Sequence, residues 1–89
     1  MGDDTAFWKQ AMKGLPWFRF LRQPVKVVEL DDLFKEGLRE EWHALKSKIE
    51  PGDKIWPFEI QVRQYLGMRK GYLVLRRGEP IGGIIHIVS

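Results

Sequence analysis

The segment that decides the fold is Gly71–Val88, which reads GYLVLRRGEPIGGIIHIV. Two runs rich in β-branched and aromatic residues, 72–75 and 81–88, flank a cluster of turn-forming residues, RRGEP. Strand formers on both sides of a short, glycine-containing turn are typical of a β-hairpin. Because a tight hairpin loop needs the positive φ that glycine adopts easily, we predict that Arg77 and Gly78 form the loop.

A two-residue loop also fixes the register of the two strands. The predicted cross-strand pairs are Arg76 with Glu79, Val74 with Ile81, and Tyr72 with Gly83. The opposite face of the hairpin would then carry Leu73, Leu75, Ile84, His86 and Val88. Because both faces contain apolar residues, we expect the hairpin to be central in its sheet.

Length and composition indicate one ordinary globular domain. The chain has 89 residues, of which 44% are hydrophobic and 30% are charged. A chain of this length buries roughly 60 to 65% of its unfolded surface, so we expect a single small core. Within this domain, residues 1–23 would form an N-terminal helix and an aromatic, basic segment, and residues 24–89 would form the α+β core.

Cysteine usage and hydropathy bear on the cellular compartment. The absence of cysteine excludes disulfides, thiolate zinc sites and thiol chemistry, and it fits a reducing environment. No apolar run approaches the roughly 20 residues of a membrane helix, and residues 1–13 lack the pattern of a signal peptide. We therefore expect a cytoplasmic protein without membrane contact.

Three further elements follow from local patterns. Capping residues precede 6–13 and Gly14 follows it, so a short N-terminal helix is expected. Residues 25–30, VKVVEL, suggest a short first strand. Apolar residues alternate in 54–62, which is the period of a strand. Because Pro57 cannot donate a ladder hydrogen bond, at least the first half of this strand is expected at a sheet edge.

The strongest helical pattern begins at Asp31 or Asp32, either of which can cap a helix, and ends at Pro51-Gly52. Its apolar residues recur at spacings of three and four and form one stripe: Leu30, Phe34, Leu38, Trp42, Leu45 and Ile49. The pattern predicts one long amphipathic helix. The expected fold class is therefore α+β, with a short N-terminal helix and this long helix packed on a small, mainly antiparallel sheet. The strands of that sheet would be 54–62, 71–76 and 80–88, ending in the β-hairpin.

Residues 15–23, LPWFRFLRQ, interleave aromatic side chains with cations. One interpretation is that the aromatic rings close the end of the core while the arginines reach water. The other is an exposed patch for a protein partner or for stacking on nucleic-acid bases, because Trp and Arg are enriched at binding hot spots. The candidate partner-binding residues are Trp17, Phe18, Arg19, Phe20 and Arg22. Membrane-surface contact is disfavoured, since the segment is short and has two cations.

A second candidate surface is the basic loop and hairpin tip at 63–77, with 63–70 expected as a loop. The candidate nucleic-acid-binding residues are Arg63, Arg69, Lys70, Arg76 and Arg77. With Tyr65 and Tyr72 as stacking groups, such a surface would suit nucleic acid. However, the net charge of +3 is small for a dedicated nucleic-acid binder, and charged hairpin tips also serve solubility.

Motifs for catalysis and metal binding find little support. Two histidines, three Ser and Thr residues and no cysteine offer no nucleophile triad, and the glycines do not form a phosphate loop. Glu36, Glu40 and His43 have helical spacing, but they project away from the apolar stripe and are expected to face solvent. We predict no catalytic residue, cofactor or metal ion, and a structural role for His86.

One resemblance extends over residues 51–88. PGDKIW at 51–56, followed by GMRKGYLVLRRGEPI at 67–81, resembles a pattern found in small bacterial proteins of unknown function. In that pattern a PGD-x-IW strand precedes a GYxxxRxG hairpin. The resemblance implies a shared β-meander and implies no activity. Those proteins often have a longer polar insert after the Trp strand, where this chain has IQVRQYL.

These observations favour a small, non-enzymatic protein-interaction or regulatory module whose partner is another protein or a second copy of the chain. Such a module would use the aromatic segment 15–22 by patch docking, or the strand containing Pro57 by strand addition. A nucleic-acid-binding module that uses 63–77 is the alternative. An enzyme is a remote alternative.

Overall fold

The structure, a computed structural model, describes residues 4–14, 18–21, 23–62 and 67–88. Within these ranges the elements are α1 (Asp4–Gly14), β1 (Phe18–Phe20), α2 (Val27–Leu33), α3 (Arg39–Lys46), β2 (Lys54–Val62), β3 (Gly67–Arg76) and β4 (Glu79–Val88). The strands form one antiparallel sheet in the order β1-β2-β3-β4. None of the described helices is long and apolar enough to cross a membrane. The predicted α+β fold with its antiparallel sheet and N-terminal helix is confirmed.

The predicted β-hairpin is formed by β3 and β4. Arg77 and Gly78 make its loop with φ values of 54° and 82°, as a type I′ turn requires. Arg76 pairs with Glu79, as predicted, but a β-bulge then inserts Ile81 as an extra residue in β4. Beyond the bulge the predicted register is wrong by one residue.

The bulge changes which residues share a face of the hairpin. Tyr72 pairs with Ile84 and not with Gly83, which lies opposite Leu73. Leu73 and Ile85 therefore pack on one side of the sheet, while Ile84 packs on the other side. Both faces are apolar, as expected, but β4 is an outer strand, so the hairpin is not central.

The prediction of one long amphipathic helix is wrong. Helix α2 ends at Leu33, and α3 begins at Arg39 after a non-helical stretch, 34–38. The break has a local cause, because Gly37 is a poor helix former and Leu38 adopts a left-handed conformation with a φ of 58°. The expected apolar stripe is nevertheless retained, with Leu30, Phe34, Trp42 and Leu45 buried and Leu38 and Ile49 half-buried. The stripe predicted burial correctly and helix continuity incorrectly.

Asp31, expected as a helix cap, lies inside α2 and ties the two short helices together. Its Oδ1 accepts hydrogen bonds from the Trp42 indole at 2.9 Å and from Lys46 Nζ at 2.8 Å. These two bonds hold the pKa of Asp31 below its ordinary value, with the bond from Lys46 contributing most. Asp31 therefore helps to hold α2 against α3 across the break.

The first strand is not at 25–30. Most of that segment is in α2, whose start is stabilised by a hydrogen bond of 2.7 Å from the Lys26 backbone N–H to Glu29 Oε2. Val25 makes an isolated bridge to Ile55, and the first strand, β1, lies in the aromatic segment instead. A helix prevails at this position because Val27, Leu30 and Phe34 have helical spacing and pack into one core.

Strand β2 has the predicted bounds, but it is not an edge strand. It pairs with β1 on one side and with β3 on the other. The Pro57 carbonyl accepts a hydrogen bond of 2.8 Å from the Leu21 N–H. Since N–H and C=O of one strand residue point to the same neighbour, the missing donor of Pro57 lies on the β1 side, beyond the end of the β1 ladder. Residues 67–70, expected in a loop, are part of β3.

The sheet has a hydrophobic core on each face. The α2/α3 face is covered by these two helices, and its buried residues are Leu30, Phe34, Trp42, Leu45, Ile55, Val74 and Ile84. The α1 face is covered by the N-terminal helix, and its buried residues are Trp8, Phe58, Ile60 and Leu73. Two helical layers thus enclose the sheet and leave its two outer strands, β1 and β4, as the edges.

Candidate functional site

Strand β4 is the longer of the two edges. It has ten residues, EPIGGIIHIV, and no described strand pairs with its outer side. Apart from Glu79 at its start, its one ionisable residue is His86. Unpaired backbone groups along an apolar edge are a template for pairing with another strand. The side chain of Ile87 adds apolar surface near the end of this edge, since it is 40% exposed.

Two β-bulges divide β4. The first inserts Ile81, and the second inserts His86 between the residues that pair with Gly71 and Lys70. The segment between the bulges, 82–85, pairs regularly with β3. Bulges increase the local twist, so 82–85 is the flattest part of this edge.

Close helix packing explains the two glycines of this segment. A Cβ atom at Gly82 would lie 2.8 Å from a methyl carbon of Leu45 in α3. A Cβ atom at Gly83 would lie 2.8 Å from the ring of Trp8 in α1. One helix therefore presses on each face of β4, and both contacts depend on the missing side chains.

The other edge, β1, has three residues and is held by a charged contact. Arg19 Nη2 lies 3.1 Å from Glu59 Oε1, and the Glu59 carboxylate is buried. The hydrogen bonds from Arg19 hold the pKa of Glu59 below its ordinary value, and a weaker bond from Gln61 acts in the same direction against the effect of burial. A short strand with an ion-paired charge offers little to an incoming strand.

The structure divides the predicted partner-binding residues. Phe18 stacks on Phe58 at 5.1 Å and packs against the core of the α1 face, and Phe20 lies at the surface against Trp56 at 5.5 Å. The Arg19 side chain lies on the α2/α3 face of the sheet, next to Glu59. One ring thus packs against the core and one stays accessible, and partner binding by this segment stays a prediction. Two further candidates, Trp17 and Arg22, lie outside the described residues.

The predicted nucleic-acid-binding residues fall into two groups. Arg69 and Lys70 lie near the start of β3, whereas Arg76 and Arg77 lie at its far end and in the hairpin loop. Arg69 and Arg76 are seven positions apart along the strand, which corresponds to roughly 23 Å. Arg63 lies outside the described residues. The described cations therefore do not form one continuous patch.

Arg76 has a structural role that the sequence did not suggest. Its Nε and Nη2 donate to the two carboxylate oxygens of Asp53, each at 2.9 Å, and Nη2 also donates to the Lys48 carbonyl at 3.0 Å. These hydrogen bonds hold the pKa of Asp53 below its ordinary value. A bidentate pair of this kind ties the end of β3 to the turn before β2. Asp53 also accepts a hydrogen bond from the Glu50 N–H at 2.9 Å.

His86 lies in an aromatic cluster on the α2/α3 face. Its ring stacks on Tyr72 and meets Phe34 edge-on, with ring centroids 5.6 Å apart in both cases. Burial, and to a lesser degree the charge of Lys70, lowers the pKa of His86, so the ring is neutral at pH 7. Within the described part of the chain its buried Nδ1 has no hydrogen-bond partner. This setting fits the predicted structural role.

Neither a protein family, nor a curated protein, nor a solved structure matches this chain. The resemblance of 51–88 to small bacterial proteins therefore stays a prediction. No cluster of metal-ligating side chains occurs among the residues that the structure describes.

Sequence reasoning missed the most prominent feature, which is the exposed edge of β4. The apolar run at 81–88 was correctly assigned to a strand, but no local signal distinguishes an outer strand from an inner one. The two adjacent glycines indicate a bulge or a close approach within this strand, but they do not show that one side of the strand is unpaired.

Proposed function

We propose that the protein is a small, non-enzymatic interaction module that pairs with a second copy of itself through the β4 edge. The observation that carries this proposal is the ten-residue apolar strand at the edge of the sheet. Pairing two such edges antiparallel would join two four-stranded sheets into one. The lack of cysteine supports the expectation of a reducing compartment such as the cytoplasm.

The sequence of β4 is well suited to pairing with itself. A two-fold axis normal to the sheet at Gly83 would place Gly82 of each copy opposite Ile84 of the second copy, both on the α2/α3 face, and the two Gly83 residues opposite each other. The small residue leaves room for the large one across the new ladder.

Regularity and charge support this centre. The residues that face each other across the axis, 82–84, lie within the regular segment between the two bulges. Glu79 lies four residues from the axis, so the two Glu79 carboxylates would be far apart and no like charges would meet directly.

Analytical ultracentrifugation of the full chain tests this proposal. We expect a dimer whose dissociation constant rises at least about tenfold when Ile87→Lys places a charge on the edge. Val28→Lys is the matched control, because Val28 is 66% exposed on α2 and away from the edge. A monomeric wild-type protein, or equal effects of the two substitutions, would contradict the proposal.

Nucleic-acid binding is the second candidate. It is favoured by the position of Arg19 and Lys70 on the same sheet face, where Glu59 neutralises one of these two charges, whereas Arg76 is neutralised by Asp53. A mixed-sequence oligonucleotide should then shift the amide signals of 67–72 at about 50 mM salt and much less at about 200 mM. Unchanged spectra at the lower salt concentration would eliminate this candidate.

A further inference from the structure

The last described residues of β4, 86–88, lie at and beyond the second bulge and are held separately from the rest of the strand. The segment before this bulge, 82–85, pairs regularly with β3, and a helix presses on each of its faces at the two glycines. After the bulge, two cross-strand pairs attach the strand to β3, Ile87 with Lys70 and Val88 with Arg69. Residues 86–88 can therefore detach with the loss of these two pairs, while 82–85 stays in place.

The ring of His86 joins this segment to the aromatic cluster of the α2/α3 face. It stacks on Tyr72 and meets Phe34 edge-on, with ring centroids 5.6 Å apart in both cases. Its Nδ1 is buried and finds no hydrogen-bond partner in the described ranges. A neutral imidazole can leave this nitrogen without a hydrogen, whereas a protonated imidazole has a donor at both ring nitrogens. Protonation would therefore bury a charge and an unsatisfied donor among aromatic rings.

The charged groups of the sheet do not compensate a positive charge on this ring. Lys70 lies two residues before Tyr72 on β3, on the same face, and it disfavours a second cation there. Glu59 is the cross-strand neighbour of Lys70 on β2, but its carboxylate is bound by Arg19 at 3.1 Å and by Gln61 at 3.3 Å. The sheet thus presents the ring with a cation and with a carboxylate that is already paired.

The charged groups of the helical layer are also engaged elsewhere or exposed. Glu29 of α2 accepts a hydrogen bond of 2.7 Å from the Lys26 N–H. In the stretch after α2, Lys35 pairs with Asp32 at 3.4 Å, and Glu36 is exposed. Neither layer therefore supplies a paired carboxylate to His86.

The pKa of His86 is accordingly below its ordinary value of 6.5, because the ring is buried and, to a lesser degree, because of the charge of Lys70. Above this value the ring is neutral whether 86–88 is attached or released. As the pH falls from 6.5 towards the lower pKa of the attached form, the released form takes up a proton and the attached form does not. Acid therefore shifts the equilibrium towards release.

We infer that His86 is an acid-sensitive switch: when its ring is protonated, residues 86–88 leave β3 and the aromatic cluster, while 82–85 stays paired. The release would shorten the β4 edge from its far end. The inference concerns a single chain, so it holds whether or not the β4 edge pairs with a second copy.

Amide hydrogen exchange of the full chain at about pH 7.5 and about pH 5, at one protein concentration of about 20 µM, tests this inference. Each exchange rate is compared with the intrinsic rate at the same pH, so that only the protection differs. The protection of 86–88 should be lower than that of 82–84 at both pH values, because its opening is local. It should fall at least about fivefold between the higher and the lower pH.

His86→Phe and His86→Gln should both remove this pH dependence, since neither side chain takes up a proton; the first retains an aromatic ring and the second a polar group. His43→Gln is the matched control, because His43 is the other histidine of the chain and is exposed on α3, and it should retain the pH dependence. Amide spectra show directly whether each variant folds. Equal protection of 86–88 and 82–84, a change of less than about twofold in the wild type, or a pH dependence that survives both His86 substitutions would overturn the inference.

Discussion

The two edges of the sheet differ in length, charge and covering. The β1 edge has three residues, and its Arg19 forms an ion pair with the buried Glu59. The β4 edge has ten residues, of which Glu79 is acidic, His86 is ionisable and none is Lys or Arg. Natural sheets usually protect edges with short strands, charges, prolines or bulges. The β1 edge is short and carries a charge. The β4 edge has Pro80 near its start and two bulges, but the segment between the bulges, 82–85, pairs regularly with β3.

This difference indicates that the edges have different roles. A short edge that is fixed by an ion pair ends the sheet. A long apolar edge with backbone groups available for pairing allows the sheet to continue into another molecule. The contacts that hold β4 flat against both helical layers should therefore matter more for stability than those that hold β1.

The largest effect is expected at the junction of β3 and β4. A Cβ atom at Gly71 would fall on the backbone carbonyl of Ile84, which cannot move without breaking the ladder. Gly71→Ala should lower the free energy of unfolding by at least about 4 kcal/mol, as measured by urea denaturation. Gly37→Ala is the control, because no atom lies within 4 Å of a Cβ there and its φ is not positive. It should be neutral or stabilising by up to about 1 kcal/mol, and a similar loss in both variants would contradict the packing at Gly71.

The next effect is expected where α1 covers β4. Trp8 is buried against Gly83 and meets Phe58 at 5.4 Å, so Trp8→Ala leaves a cavity between helix and sheet. The expected loss is about 3 to 5 kcal/mol in urea denaturation. Its neighbour Phe7 is 57% exposed, and Phe7→Ala should cost less than about 1 kcal/mol. Equal losses would mean that α1 does not pack on β4 through Trp8.

The smallest effect is expected at the β1 edge, and it depends on pH. The pKa of Glu59 is below its ordinary value of 4.5 in the folded protein, chiefly because of the hydrogen bonds from Arg19. A carboxylate with a lowered pKa stabilises the fold above its unfolded pKa, and this stabilisation is lost as the pH falls through the folded value. The stability difference between wild type and Glu59→Gln should therefore be largest near neutral pH and shrink below pH 4.5. A difference that stays constant with pH in thermal unfolding would contradict the ion pair.

Local chemistry made part of the fold predictable. Two adjacent residues, Arg77 and Gly78, determine the hairpin loop, and alternation within 54–62 determines β2, so both follow from neighbouring residues. The bulges of β4 could not be predicted in this way. They depend on how Gly82 meets Leu45 and how Gly83 meets Trp8, and these residues are far apart in the sequence.

The helices likewise show that local sequence predicts only part of the fold. The spacing of apolar residues predicted which side chains of 30–49 are buried, but a stripe is satisfied equally by one helix or by two short helices that follow a twisted sheet. Gly37 was the local sign of the break. The candidate surfaces were harder to predict, because the partners of Arg19 and Arg76 and the outer position of β4 are set by strand order.

The most direct test of the β4 edge is amide hydrogen exchange measured at low and high protein concentration, about 20 µM and 1 mM. If β4 pairs with a second copy, exchange within 82–85 should slow as the concentration rises, while exchange in β1 stays the same. Ile87→Lys should remove this dependence, and Val28→Lys should retain it. Exchange within 82–85 that is identical at the two concentrations would contradict pairing through β4.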